Sequence, residues 1–102
     1  MSKSMSVLLW WIIGGTKGGA TRARIILALR ERPQNANQLT NLLELDRKTV
    51  LYHLNLLTDN KLLTTAGKHY GLMYFLSPEL ESNFKLFLDI WEKIKGKPIK
   101  EE

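Results

Sequence analysis

The stretch "DRKTVLYHLNLL", residues 46–57, opens with one acid and two bases and closes as nearly pure hydrocarbon. Val50, Leu54 and Leu57 recur at helical spacing and make one apolar stripe. Arg47, Lys48, Thr49, Tyr52 and Asn55 fall largely on the opposite side. Asp46 can accept the unpaired amides of a first turn, and its charge suits the positive end of a helix dipole. The stretch therefore predicts a helix from Arg47 to about Asp59, with its back in a core and a cationic, hydrogen-bonding start on its front.

Working upstream, "ELD" at 44–46 is a tight connection, and a short helix is predicted over Asn37–Glu44, capped by Asn35 or Asn37. Leu39, Leu42 and Leu43 are its inward positions. Another helix is predicted from Thr21 to Arg32, with Ile25, Ile26 and Leu29 as its apolar face and Pro33 as its stop. Downstream, Leu62–Thr65 and Leu72–Leu76 are strand-like runs around "AGKHYG", which reads as a β-hairpin. Ser77, Pro78, Glu79 and Glu81 then form a strong helix start, and the last helix is predicted over Pro78–Lys95, stopped by Gly96 and Pro98.

The fold class expected is mainly α with a small β-hairpin. The two middle helices and their three-residue connection have helix-turn-helix proportions, and in such a unit the second helix lies in the DNA major groove. Arg47, Lys48, Thr49, Leu51, Tyr52 and Asn55 would then face base edges and phosphates, where Arg or Lys suits guanine and Asn suits adenine. Lys68, His69 and Tyr70 at the hairpin tip would be the wing, reaching flanking backbone.

Composition agrees with a polyanion as partner. The chain has 102 residues, enough for a single domain, and is 44% hydrophobic, against wholesale disorder. The net charge is +5, and it is unevenly placed. Residues 1–76 carry ten bases and four acids, whereas residues 77–102 carry five bases and six acids. A basic body with a near-neutral end suits nucleic acid. The absence of cysteine excludes a disulfide scaffold and a thiolate metal site. No nucleophile–base pair and no metal-ligand cluster is visible, so an enzyme is not expected, and no cofactor is implied.

"RARIILALRERPQNANQLTNLLELDRKTVLYHLNLLTDNKLL" followed by "YGLMYFLSPELE" resembles the archaeal ArsR-like winged helix-turn-helix transcriptional regulators, over about residues 12–82. "NANQL", "KTVLYHLNLL" and "YFLSPELE" are the most family-like pieces. The resemblance implies a three-helix core plus wing and a dimeric, sequence-specific binder of double-stranded DNA. It implies that Arg47, Lys48, Thr49, Leu51 and Tyr52 face the major groove, with Lys68 to Tyr70 as the wing. Two positions depart from the family pattern. Leu51 stands where many members have a small polar residue. Lys61 stands where many have Gly, so Asn60 is expected to take the left-handed turn in its place.

Many ArsR-like repressors sense metals through cysteine and histidine. Here there are only His53 and His69, so metal sensing is rejected and the inducing ligand is left open. His53 reads as a half-buried structural residue.

The last helix carries Leu80, Phe84, Phe87, Trp91 and Ile94 at spacings of 4, 3, 4 and 3 along one seam. Leu86, Leu88 and Ile90 add apolar surface beyond what one small domain can cover. A homodimer through this helix is expected, joined by Trp10 and Trp11. On this reading 14–76 is the DNA-binding core, 77–96 the C-terminal dimerisation helix and 7–13 an apolar segment joining the interface.

That segment, "VLLWWII", can be a strand or one to two turns of helix. It is far shorter than the roughly 20 residues a membrane-spanning helix needs. A cleaved leader is disfavoured by the lone Lys3, by two Trp and by a cleavage point near Ala23 that would cut the next helix. A cytoplasmic location is expected.

The "GGTKGGAT" that follows lacks the Gly-Lys-Ser/Thr order of a Walker loop. Either Lys17, Thr21 and Arg22 hold a DNA phosphate at a helix start, or the loop is a flexible connector. A winged helix serving as a protein-interaction module of the transcription machinery, without sequence-specific DNA binding, is the rival function.

Overall fold

A computed structural model of the protein describes residues 4–95. The N-terminal apolar run is helical. Helix α1 spans Met5–Leu9, capped by the Ser4 side chain, and widens into a π-helical turn over Trp10–Gly14. Thr16 Oγ1 donates to the Trp11 carbonyl at 3.0 Å, closing the end of that turn. Helix α2 spans Gly19–Glu31. Its stop follows from Pro33, which drives the preceding Arg32 into extended backbone.

Strand β1, Gln34–Asn35, leads directly into helix α3, Ala36–Leu43. Asn35 is the cap, and its side chain and that of Gln38 satisfy each other's backbone amides in a capping box. Helix α4 spans Arg47–Asp59 with Asp46 as its cap, as the sequence predicts. Strands β2, Leu63–Ala66, and β3, Met73–Leu76, form the hairpin, with a 3-10 turn at His69–Gly71 in its loop. The sheet is antiparallel in the order β1-β3-β2, with Gln34 opposite Tyr74 and Leu63 opposite Leu76. A two-residue polar strand has no periodicity to detect, so β1 escapes a sequence reading.

The predicted last helix is two helices, α5 at Pro78–Ser82 and α6 at Phe84–Lys95. The interruption has a local cause. The Ser82 hydroxyl and the Asn83 amide donate back to the carbonyls of Pro78 and Glu79, at 3.0 and 2.9 Å, competing with the backbone ladder. The predicted stop at Gly96 and Pro98 lies outside the described residues.

The turn after α4 also corrects an expectation. Lys61, not Asn60, is left-handed, with φ 63°. The Leu62 amide donates to the Leu57 carbonyl at 3.0 Å and Lys61 to Thr58 at 2.9 Å, a Schellman closure. Asn60 instead donates its side chain to the Leu56 carbonyl. Placing a lysine there costs roughly 1–2 kcal/mol. The carbonyls satisfied, and Leu62 delivered wholly into the core, offset it.

A single core lies between these elements. Ile25 and Ile26 of α2, Leu39 of α3, Val50, Leu54 and Leu57 of α4 are buried in it. The N-terminal segment packs on α6 and on the start of α2, so Leu9, Ile12 and Phe87 join the same core.

Candidate nucleic-acid interface

Helix α4 presents the two faces its sequence predicts. Val50, Leu54 and Leu57 are fully buried, while Arg47, Lys48, Tyr52 and Asn55 are exposed, Tyr52 at 61%. The exposed face is set by the cap. Asp46 accepts from the Thr49 amide at 3.3 Å and from the Thr49 hydroxyl at 2.7 Å. Those bonds hold its carboxyl below the usual carboxylate range. Thr49 is half-buried, and its hydroxyl proton is engaged within the chain rather than turned outward.

Arg47, at the first position of α4, donates from Nη1 to Asn37 Oδ1 on the first turn of α3. Arg47 and Asn37 line a small cleft with Ala36, Leu51, Leu72, Tyr74 and His69. This cleft brings the start of the helix-turn-helix pair and the wing tip to one face of the molecule. Burial raises the Tyr74 hydroxyl above its ordinary pKa, and the neighbouring Arg47 charge partly offsets that. Leu51 is half-buried against the core and forms part of the cleft wall. Lys68 is exposed on the wing, and His69 is exposed with φ 50°. The side chain of Tyr70 lies outside the described set.

The structure separates the three residues of the glycine loop that were expected to hold a phosphate. Lys17 is exposed and Thr21 half-buried, but Arg22 is 2% exposed and faces inward. Its Nε donates to the Ile12 carbonyl at 2.8 Å, and Nη2 donates to the Lys17 carbonyl at 3.2 Å and to Thr16 Oγ1. Its Nη1 lies 3.1 Å from His53 Nδ1 on α4. Arg22 is therefore a tie between the N-terminal segment, the loop and α4. A DNA phosphate is not within its reach.

Arginine has no acceptor, so His53 Nδ1 must accept and the imidazole is neutral with its proton on Nε2. His53 is buried, and burial together with the Arg22 charge lowers its pKa. The unfolded chain therefore binds a proton that the native chain resists. Stability should be intact above the unfolded histidine value of about 6.5 and fall as pH drops from there towards the lowered native value. The Asp46 contribution is retained above the unfolded aspartate value of about 3.9 and lost only as pH falls through its lowered native value. Urea unfolding at pH 7.5 and pH 5 separates the two windows. His53→Asn, which keeps an acceptor near the Nδ1 position, should flatten the difference between them; an unchanged difference would count against the tie.

The expected dimer seam is corrected in part. Leu80, Phe84 and Phe87 are buried within the chain's own core, because α5 and α6 fold back onto α1, the π-helical turn and β3. Phe84 is also covered by Arg30, whose guanidinium lies 4.1 Å from its ring centre. Trp91 and Ile94 are half-buried. Trp10 and Trp11 remain 40% and 48% exposed, and Val7 and Leu88 are exposed as well.

Sequence reasoning missed Asn37, Leu72 and Tyr74 at the cleft and the Arg22–His53 contact. Each joins residues distant along the chain, and no local periodicity links them. Among the described residues no group of three or more His, Asp or Glu is placed to hold a metal ion, and no helix is long and apolar enough to cross a membrane.

A helix-turn-helix domain model matches residues 20–66. The transcriptional regulator HlyU from Vibrio vulnificus superposes with a TM-score of 0.67 at 23% identity, over 84% of this chain and 86% of that one. The AntR antimony-specific transcriptional repressor gives 0.66 at 22% identity, over 89% of this chain and 80% of that one. A possible transcriptional regulator for arsenical resistance gives 0.61 at 20% identity, over 96% of this chain and all of that one. No curated protein matches by sequence. The fold is that of the winged helix-turn-helix, shared here with proteins described as transcriptional regulators.

Proposed function

We propose that the chain is a sequence-specific, double-stranded-DNA-binding transcriptional regulator of the ArsR-like kind, acting as a homodimer. The observation that carries this reading is the cleft shared by Arg47 and His69, which aligns the exposed start of α4 with the wing tip. In this reading α4 enters the major groove, Arg47, Lys48, Tyr52 and Asn55 meet base edges and phosphates, and Lys68 and His69 meet flanking backbone. The exposed Trp10, Trp11, Val7 and Leu88, together with the half-buried Trp91 and Ile94, supply the apolar surface for a two-fold partner. Two copies of α4 about 34 Å apart would read two half-sites one turn apart.

Salt dependence tests the reading. With about six phosphate contacts, log K should fall with log salt at a slope near −5. Arg47→Ala should lose roughly 1–3 kcal/mol at particular base positions, whereas Lys68→Ala should weaken all duplexes alike and reduce the slope by about one. A flat salt dependence, or no change from either substitution, would favour a protein-interaction module, for which the exposed tryptophans would be the contact.

A further inference from the structure

We propose that Asn37 is a positioning residue that sets base preference through Arg47, and this rests on the DNA-binding reading above. An arginine at the first turn of an exposed helix can swing over a wide arc, because its side chain has four rotatable bonds. Here it does not start unconstrained. Arg47 Nη1 donates to Asn37 Oδ1, and the same two residues line one wall of the cleft whose remainder is Ala36, Leu51, Leu72, Tyr74 and His69.

The backbone that carries the anchor is itself held. Asn37 sits on the first turn of α3, and that turn is held by the reciprocal Asn35–Gln38 capping box at 2.8 Å in both directions. With a proton of Nη1 engaged, the Nε–Nη2 edge of the guanidinium is the fork left for a bidentate partner. Guanine O6 and N7 in the major groove are the acceptor pair that such a fork fits. The chemical class read by Asn37 and Arg47 together is thus a guanine facing the first turn of α4. Asn37 contributes by holding the fork in one direction before DNA arrives, and it need not touch the base.

The test is a random duplex-pool selection followed by affinity measurement, with the wild-type chain, Asn37→Ala, Asn37→Asp, Arg47→Ala and the double variant. Asn37 is exposed, so the variants should keep the wild-type thermal midpoint. Asn37→Ala should lose preference for the same guanine that Arg47→Ala loses, by roughly five- to a hundred-fold. It should leave affinity for unrelated duplexes nearly unchanged. The double variant should be no worse than Arg47→Ala alone, because both remove one unit. Asn37→Asp restores an acceptor and should recover the guanine preference while lowering overall affinity through its charge. In the DNA-free chain, ¹⁵N relaxation should show the Arg47 Nε–H more mobile in Asn37→Ala than in wild type. Additive losses, a retained guanine preference in Asn37→Ala, or unchanged Arg47 mobility would each overturn the proposal. Wild-type chain that binds no duplex overturns the functional reading beneath it, and the two failures are told apart by that one measurement.

Discussion

Replacing Arg22 by alanine is expected to lower the thermal midpoint by roughly 15 °C, a loss of about 3 kcal/mol. The guanidinium is 2% exposed and reaches Ile12, Thr16, Lys17 and His53 at once. Truncation leaves acceptors on three separate segments without their donor, those on Ile12 and His53 buried, and such orphaned groups are more costly than a neutral hydrogen bond is worth. The N-terminal segment then loses its polar anchor to α2 and α4 and keeps only its apolar packing. Arg24→Ala is the natural control. Arg24 is exposed and makes a single 3.4 Å bond to the Leu43 carbonyl, so its loss should stay within about 0.5–1 kcal/mol. Arg22→Met separates packing from hydrogen bonding, since it refills the stem volume without a donor. Recovery of most of the stability by methionine would show that volume, not the hydrogen-bonded tie, holds the joint; a loss under about 1 kcal/mol in Arg22→Ala would dismiss the tie altogether.

Gly19→Ala is expected to cost about 2–3 kcal/mol, the upper part of the range for forcing atoms into a packed site. A methyl there would overlap the Ile13 carbonyl oxygen and lie 2.7 Å from its carbon. Those are backbone atoms, so no rotamer change relieves the overlap and the N-terminal segment must move as a body. Two other glycines calibrate the result. At Gly14 the added carbon meets the Trp10 ring at 2.7 Å, a side chain that can swing aside at lower cost. At Gly71 it meets nothing within 4 Å, so alanine there should be nearly neutral. Urea unfolding gives the three values, and tryptophan emission reports displacement of the segment, because Trp10 and Trp11 lie on it. Equal stability of the Gly19 and Gly71 variants would mean that α1 and the π-helical turn do not seat against α2 as described.

Both predictions concern the stretch the sequence left most open. "IIGGTKGGATRAR" is compatible with a phosphate loop and with a flexible connector, because glycine spacing says only that the backbone is permissive. The structure makes it a packed joint. Gly19 is needed for close approach to Ile13, and Gly18, at φ 87°, places His53 Cε1 within 2.8 Å of where a side chain would begin. The arginine that looked like a phosphate ligand is the bolt of that joint.

The α4 stretch is the opposite case. Its cap, start, end and buried stripe are all local properties: a carboxylate three residues before the amide it accepts, and apolar residues at helical spacing. Such properties depend on neighbours along the chain, so they were legible, as were the hairpin, the Pro33 stop and α3, except that Leu42, expected to point inward, is exposed. The last helix was legible as a helix, but its break at Asn83 was not, since it depends on which of two competing hydrogen bonds Ser82 and Asn83 make. The seam of Leu80, Phe84 and Phe87 was legible as apolar, yet an apolar stripe does not state its partner. Folding the segment back onto α1 and β3 buries it internally and leaves Trp10 and Trp11 as the outward surface.

From the sequence alone come the helix-turn-helix with its wing, the cationic front of α4 and the apolar character of both ends, because helical period, capping chemistry and turn residues act over three or four positions. The tertiary structure alone decides that Arg22 points inward to His53, that Asn37 meets Arg47 across ten residues, and which apolar faces are already covered. Those outcomes depend on distances between segments far apart in the chain, and only the packed core sets them.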